Sequence, residues 1–148
     1  MNINKQLQFL FKKIFQNIFF LMYGRIIYKK NKETSKLIKI GSKKYYVAMI
    51  KKGRVYTDYV EHVSVIDNNN ILVNKVSHQQ INGPMFPPKR NSALTKGTPR
   101  LKKKIKGSML CMIQGASATN NYFHWMFDIL PRLELIKKIK NLRDIDYF

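Results

Sequence analysis

From Gly107 to Phe148 the sequence spells out strand, loop, helix and the start of a second strand, an order that few folds accept. Ser108 to Ile113 is a short apolar run bounded by Gly107 and Gly115, as expected of a buried strand. Gly115 to Asn121 is a loop of small residues with several candidate helix caps. A helical pattern then runs from Asn121 toward Lys140, with Tyr122, Trp125, Met126, Ile129, Leu133 and Ile136 on one apolar stripe. Pro131 lies inside it and predicts a kink or a break, because proline lacks a backbone donor and crowds the preceding turn. Ile145 to Phe148 reads as the opening of another strand. Strand, helix and strand in that order make most of a βαβ unit, so the expected class is α/β. The second strand has barely begun at Phe148, which reads as a domain truncated at its C-terminus.

A chain of 148 residues has room for one domain with a core, but not for two full α/β domains. An apolar fraction of 45% and an aromatic fraction of 12% fit a globular protein rather than a disordered one. The single cysteine, Cys111, excludes an internal disulfide framework and a cysteine-based metal cluster. Its apolar neighbours, Met109 to Ile113, suggest a buried and inert thiol.

Lysine and arginine number 28 against 8 acids, a net charge of +20. A surplus this large points to anionic partners: membrane, nucleic acid or phosphorylated substrates. It is unevenly spread. Residues 1–52 carry 13 basic groups and one acid, a net of +12, and residues 53–148 carry 15 and 7, a net of +8.

Residues 1–30 read as a basic amphipathic helix. Leu7, Leu10, Phe11, Ile14, Phe15, Ile18, Leu21 and Met22 fall on one stripe, with Lys5, Gln8, Lys12, Lys13 and Gln16 opposite. The longest uninterrupted apolar stretch, Ile18 to Tyr23, is far short of the roughly 20 residues a membrane span needs. Nor is it a secretory signal of the usual kind, because Lys12-Lys13 and Gln16-Asn17 interrupt it and no small-residue cleavage site follows. Two arrangements fit: a helix lying in a membrane interface, or one packed on a core by its apolar face. Arg25, Lys29, Lys30 and Lys32 tip the balance toward an anionic membrane surface. The expected location is cytoplasmic, peripheral on the inner membrane face.

Residues 31–44 are polar and lysine-rich and read as a linker. Tyr45 to Ile50 is β-rich. His62 to Asp67 and Ile71 to Val76 flank Asn68-Asn69-Asn70, a turn suited to positive φ, which predicts a β-hairpin. Residues 82–100 hold four of the five prolines and read as a long irregular connection leading into the basic cluster Arg100 to Lys106.

Within the last helix, His124, Asp128 and Arg132 recur every four residues along one face. Asp128 can hold one nitrogen of His124 and leave the other free as a base; Arg132 can steady Asp128 or reach a phosphate. A structural pair has the same spacing, so the pattern alone leaves both roles open.

The run Asn121-Tyr122-Phe123-His124-Trp125-Met126-Phe127-Asp128-Ile129-Leu130-Pro131-Arg132-Leu133 resembles the signature segment of glycosyltransferase family 61. That family has an Asn-Tyr-x-His-Trp block running into Leu-Pro-Arg after a strand and a small-residue loop. Gly53-Arg54-Val55-Tyr56, Val65-Ile66-Asp67 and Met109 to Gly115 match more weakly, so the likeness spans about residues 45–148. It implies an inverting transferase of the GT-B type, and residues 45–148 as the Rossmann-like, acceptor-side N-terminal portion. The donor would be a nucleotide sugar and the acceptor a glycan, as in polysaccharide or capsule synthesis. No resident cofactor or metal is implied. The donor-binding half and its glycine- and histidine-containing motifs have no counterpart here, and this chain alone is expected to be incomplete and inactive. His124 and Asp128 are the expected catalytic residues, with Asn121 and Arg132 as substrate-binding residues.

A second class of function competes: a small basic protein that binds nucleic acid or membrane without catalysis. Tyr45, Tyr46, Tyr56 and Tyr59 interleave with the basic residues. The lysines are nevertheless scattered and no recognised nucleic-acid motif is present, so no specific nucleic acid is expected.

Overall fold

The computed structural model describes residues 3–30, 36–40, 45–57, 62–77, 79–80, 84–112 and 122–148. It is a small mixed α/β structure. The N-terminal periodicity becomes one helix, α1 (Ile3–Tyr23), which ends at Gly24, whose N–H donates to the Phe20 carbonyl at 2.9 Å. Three antiparallel strand pairs follow: β1 (Lys36–Ile40) with β2 (Tyr45–Met49), β3 (Arg54–Tyr56) with β4 (Ser64–Ile66), and β5 (Gln79–Gln80) with β6 (Met85–Phe86). Among the described residues these are three separate two-stranded sheets, and no Rossmann-type parallel sheet is formed. Part of the stretch read as a linker is therefore a strand. Lys-Leu-Ile-Lys-Ile does not alternate strictly: Leu37 and Ile38 are adjacent, and lysines three apart fit no two-residue period.

The Asn68–Asn70 reversal forms as expected. Asp67 Oδ1 accepts from the backbone N–H groups of Asn69 (2.9 Å) and Ile71 (2.8 Å), and Asn70 takes a φ of +59°. Ile66 then faces Leu72 in an antiparallel bridge, and the Val73 N–H donates to Val65. The return strand is shorter than Ile71 to Val76, because the chain turns again and the Val76 N–H donates to Val73. Ile71 also bridges Ile27 in parallel, which brings the segment after α1 onto the hairpin.

The core sits here. Ile26, Ile66, Leu72 and Ala93 pack together with Tyr56 and Leu94 against them. Ala93 belongs to the segment expected to be an irregular connection. That segment instead contains β6, a 3-10 turn (Pro88–Arg90) and a short helix, α2 (Ala93–Lys96). Buried Asn91 stitches it to β4: its Oδ1 accepts from Ser64 Oγ (2.8 Å) and from the Ala93 N–H (3.0 Å), and its Nδ2 donates to the Val63 carbonyl (3.2 Å). Gln79 and Ser77 complete the same buried network through the Ser92 N–H and the backbone of Val65. Prolines mark where this segment turns, but a side chain two positions from a helix start decides where it docks.

The second half of α1 meets this body. Phe19, Phe20 and Tyr23 are half-buried, and Gln16 donates to the Thr95 carbonyl at 2.5 Å. At about 100° per residue these four lie roughly opposite the apolar stripe. The stripe itself faces away: Leu10, Phe11, Ile14, Phe15, Ile18, Leu21 and Met22 are all exposed. The helix is thus docked by the side that periodicity marks as polar. Gly97 is central to this docking. Its φ of +68° with ψ of −156° is a conformation open almost only to glycine, and an added Cβ would lie 2.8 Å from Phe20 Cε1. Gly97→Ala is expected to destabilise the chain by about 1–3 kcal/mol, measured by urea unfolding followed by circular dichroism.

Candidate active site on the C-terminal helix

The helix after residue 121 is not uniform. Tyr122–His124 (α3) leads into a π-helical turn, Trp125–Ile129, and then Leu130–Lys137 (α4). The Leu130 N–H donates to the Trp125 carbonyl, five residues back. Pro131 explains the position of the turn. It has no N–H for the Phe127 carbonyl and its ring crowds that carbonyl, so the turn before it widens. The expected kink or break is a widened turn, and the helix continues through it. One extra residue in a turn rotates everything beyond it by about 100° relative to a plain α-helix. The expected apolar stripe is split accordingly: Ile129 and Ile136 are buried, while Tyr122, Trp125 and Met126 are exposed.

His124 and Asp128 meet across the start of this turn, with His124 Nδ1 2.6 Å from Asp128 Oδ2. An ionised carboxylate only accepts, so in that pairing the proton belongs to Nδ1, and an imidazole in its neutral form then carries its lone pair on Nε2. The Phe123 ring stands edge-on to the imidazole at 5.9 Å and packs at a tilt against Phe127 at 4.8 Å, which limits the ring's freedom. Arg132 does not join this pair. Beyond the π turn its Nη1 donates to the Met112 carbonyl, which ties the helix to the run before the loop. Burial pulls the Arg132 pKa below its usual value, opposed by the charges of Asp128 and Cys111. The structure thus joins His124 to Asp128 and diverts Arg132. Asn121 and the loop 113–120 lie outside the described residues.

The run expected to be a buried strand is only partly buried. Met109 is exposed and Cys111 half-buried. Its pairing is parallel, however: Met109 bridges Tyr147, the Leu110 N–H donates to Tyr147 (2.9 Å), and the Tyr147 N–H donates to Ser108 (3.1 Å). A carboxylate locks this junction. Asp146 Oδ2 accepts from the Ser108 N–H (2.6 Å) and from Ser108 Oγ (2.9 Å). Gly107, at φ +106°, leaves room for it, since a Cβ there would lie 2.5 Å from Oδ2. These Ser108 hydrogen bonds hold the Asp146 pKa below the ordinary carboxylate range. A depressed folded-state pKa contributes stability above the unfolded value, and that contribution is lost as pH falls through the folded value. Protection of the Leu110 and Tyr147 amides, measured against their intrinsic exchange rates, is therefore expected to fall below the ordinary carboxylate range, and Asp146→Asn to show the reduced protection at neutral pH.

Comparison with protein families, curated proteins and solved structures gives no match. The site must be read from its own geometry.

Asp128 and Arg132 line an open cleft of about 2710 Å³ that Arg54 and Lys102 also line. This is several times the volume of a typical small-molecule pocket, so it is a gap between two parts of the chain rather than a shape moulded to one ligand. Among the described residues no group of three or more histidine, cysteine or acidic side chains is placed to hold a metal ion. Sequence reasoning missed Arg54 and Lys102 as site residues. Arg54 entered only as one letter of Gly53-Arg54-Val55-Tyr56, and nothing local marks a lysine 48 positions later as its neighbour.

Proposed function

We propose that this chain is the acceptor-side portion of an inverting glycosyltransferase, with His124 as the base that takes the acceptor hydroxyl proton. The observation that carries this reading is the parallel Met109–Tyr147 pairing across the helix that bears the His124–Asp128 pair. Reactive groups of open α/β folds sit beyond the carboxyl ends of parallel strands, where the next helix begins. His124 lies in the first helical turn recorded after that strand. The Rossmann-like sheet implied by the family resemblance would then need further parallel strands beside residues 109 and 147. Inverting transfer requires a base on the acceptor and positive potential at the departing diphosphate. The first is at hand in His124 Nε2, and the donor-binding part is assigned to polypeptide outside these residues. The test is the coding sequence after the Phe148 codon. A continuing α/β sequence with a glycine- and histidine-bearing donor motif supports the proposal; an unrelated sequence there, or none, removes it.

The same reading places the chain on a membrane surface through α1. No described helix is long and apolar enough to cross a membrane. The exposed apolar stripe and the basic residues Lys5, Lys12, Lys13 and Arg25 suit an interfacial helix on anionic lipid. Phe11→Asp, which leaves the docking side intact, is expected to weaken binding to phosphatidylglycerol-containing vesicles at least about tenfold, from the loss of one buried aromatic side chain. Unchanged co-sedimentation would sink the interfacial role. Tight DNA binding that survives high salt would favour the nucleic-acid reading instead.

A further inference from the structure

The guanidinium of Arg54 has one nitrogen in use and one edge without a partner among the described residues. Its Nη1 donates to the carbonyl of Tyr23 at 3.3 Å, at the C-terminal end of α1. Its Nε and Nη2 are buried and meet no acceptor among the described residues. Those two nitrogens form the side of the guanidinium whose N–H bonds run parallel, the edge suited to two oxygens of one anion. Buried donors left unpaired are rare, and a charged pair of them calls for a ligand.

Further positive charge gathers at the same place. Lys102 Nζ lies 3.9 Å from the centroid of the Tyr23 ring, and Arg54 Cζ lies 5.9 Å from it. The Lys102 N–H donates to the Tyr23 hydroxyl at 3.2 Å, which fixes the extended basic segment beside Arg54. Lys102 loses proton affinity through burial, then through the charges of Arg54 and Lys104. None of the three cations forms an ion pair among the described residues, where the recorded pairs are His124–Asp128 and Lys137–Glu134. All three line the cleft. Like charges held this close favour a multiply charged anion over a carboxylate.

We propose that Arg54, Lys102 and Lys104 form a binding site for a phosphoryl group, gripped through the Nε–Nη2 edge of Arg54. The site stands independently of the glycosyl-transfer reading. Two sources carry this chemistry: a soluble phosphate ester entering the cleft, or a phospholipid headgroup reached from the membrane on which α1 would lie.

The full chain is titrated with inorganic pyrophosphate by calorimetry. It is also co-sedimented with phosphatidylcholine vesicles carrying phosphatidic acid or, at matched surface charge, phosphatidylglycerol. Arg54→Lys keeps the charge and removes the fork, so it separates recognition from the general attraction of a +20 chain. A loss of pyrophosphate affinity of about tenfold or more in Arg54→Lys assigns the site to a soluble phosphate. Loss of a preference for phosphatidic acid, with pyrophosphate binding unmoved, assigns it to a headgroup. Wild-type behaviour of Arg54→Lys toward both probes overturns the proposal. If circular dichroism shows Arg54→Lys to be unfolded, Lys102→Gln at its exposed position decides on the same criteria.

Discussion

Replacing His124 by alanine is expected to reduce sugar transfer by roughly 100- to 10,000-fold, the range that a positioned general base contributes. The variant is made in the polypeptide that joins residues 1–148 to whatever its gene encodes next. The size of the effect follows from the geometry. Asp128 Oδ2 lies 2.6 Å from Nδ1 and engages that nitrogen, so Nε2 is the basic atom the ring can offer an acceptor. The loss should fall on kcat at least as heavily as on KM. Asp128→Asn should cost less, since it disturbs the tautomer without removing the base. A folded His124→Ala variant with an unchanged rate would leave the histidine a purely structural role on its helix.

The second large effect is on stability. Asn91→Ala is expected to destabilise the chain by about 3 kcal/mol, because it strands three buried groups at once. The Ser64 hydroxyl and the Ala93 N–H lose their acceptor, and the Val63 carbonyl loses its donor. Ser64→Ala removes only one partner of Asn91 and should cost about 1 kcal/mol. The chain's one tryptophan, Trp125, sits on the C-terminal helix and not in this core, so unfolding is best followed by circular dichroism. Equal losses in the two variants would mean that Asn91 is not the centre of the network.

What the sequence made legible was local. The three asparagines specify their turn through short-range hydrogen bonds, and Asn70 adopts the positive φ that asparagine tolerates. The stripe on α1 is present as periodicity predicts. Which side of the helix docks was not legible, because Phe19, Phe20 and Tyr23 are aromatic residues set among lysines and glutamines, and only tertiary packing ranks the two faces. Lys36–Ile40 escaped because its lysines and adjacent Leu37-Ile38 fit no two-residue period. On the C-terminal helix, spacing placed His124 over Asp128 correctly. A kink at Pro131 already threatened the place of Arg132 on that line; what spacing did not give was the form of the distortion, a π turn, and the Met112 carbonyl as the partner of Arg132. The cationic cluster at Tyr23 was illegible for a simpler reason. Its members lie on α1, on β3 and on the segment after α2, and no local pattern links residues 23, 54 and 102.

The central claim is that residues 1–148 are part of an inverting sugar transferase. Its most direct test is the nucleoside diphosphate released by the polypeptide just described, given a panel of nucleotide sugars with and without glycan acceptors. The account predicts release that depends on both substrates and yields a product with inverted anomeric configuration. Acceptor-dependent transfer with retained configuration, or no transfer by the folded protein with any donor, would contradict it.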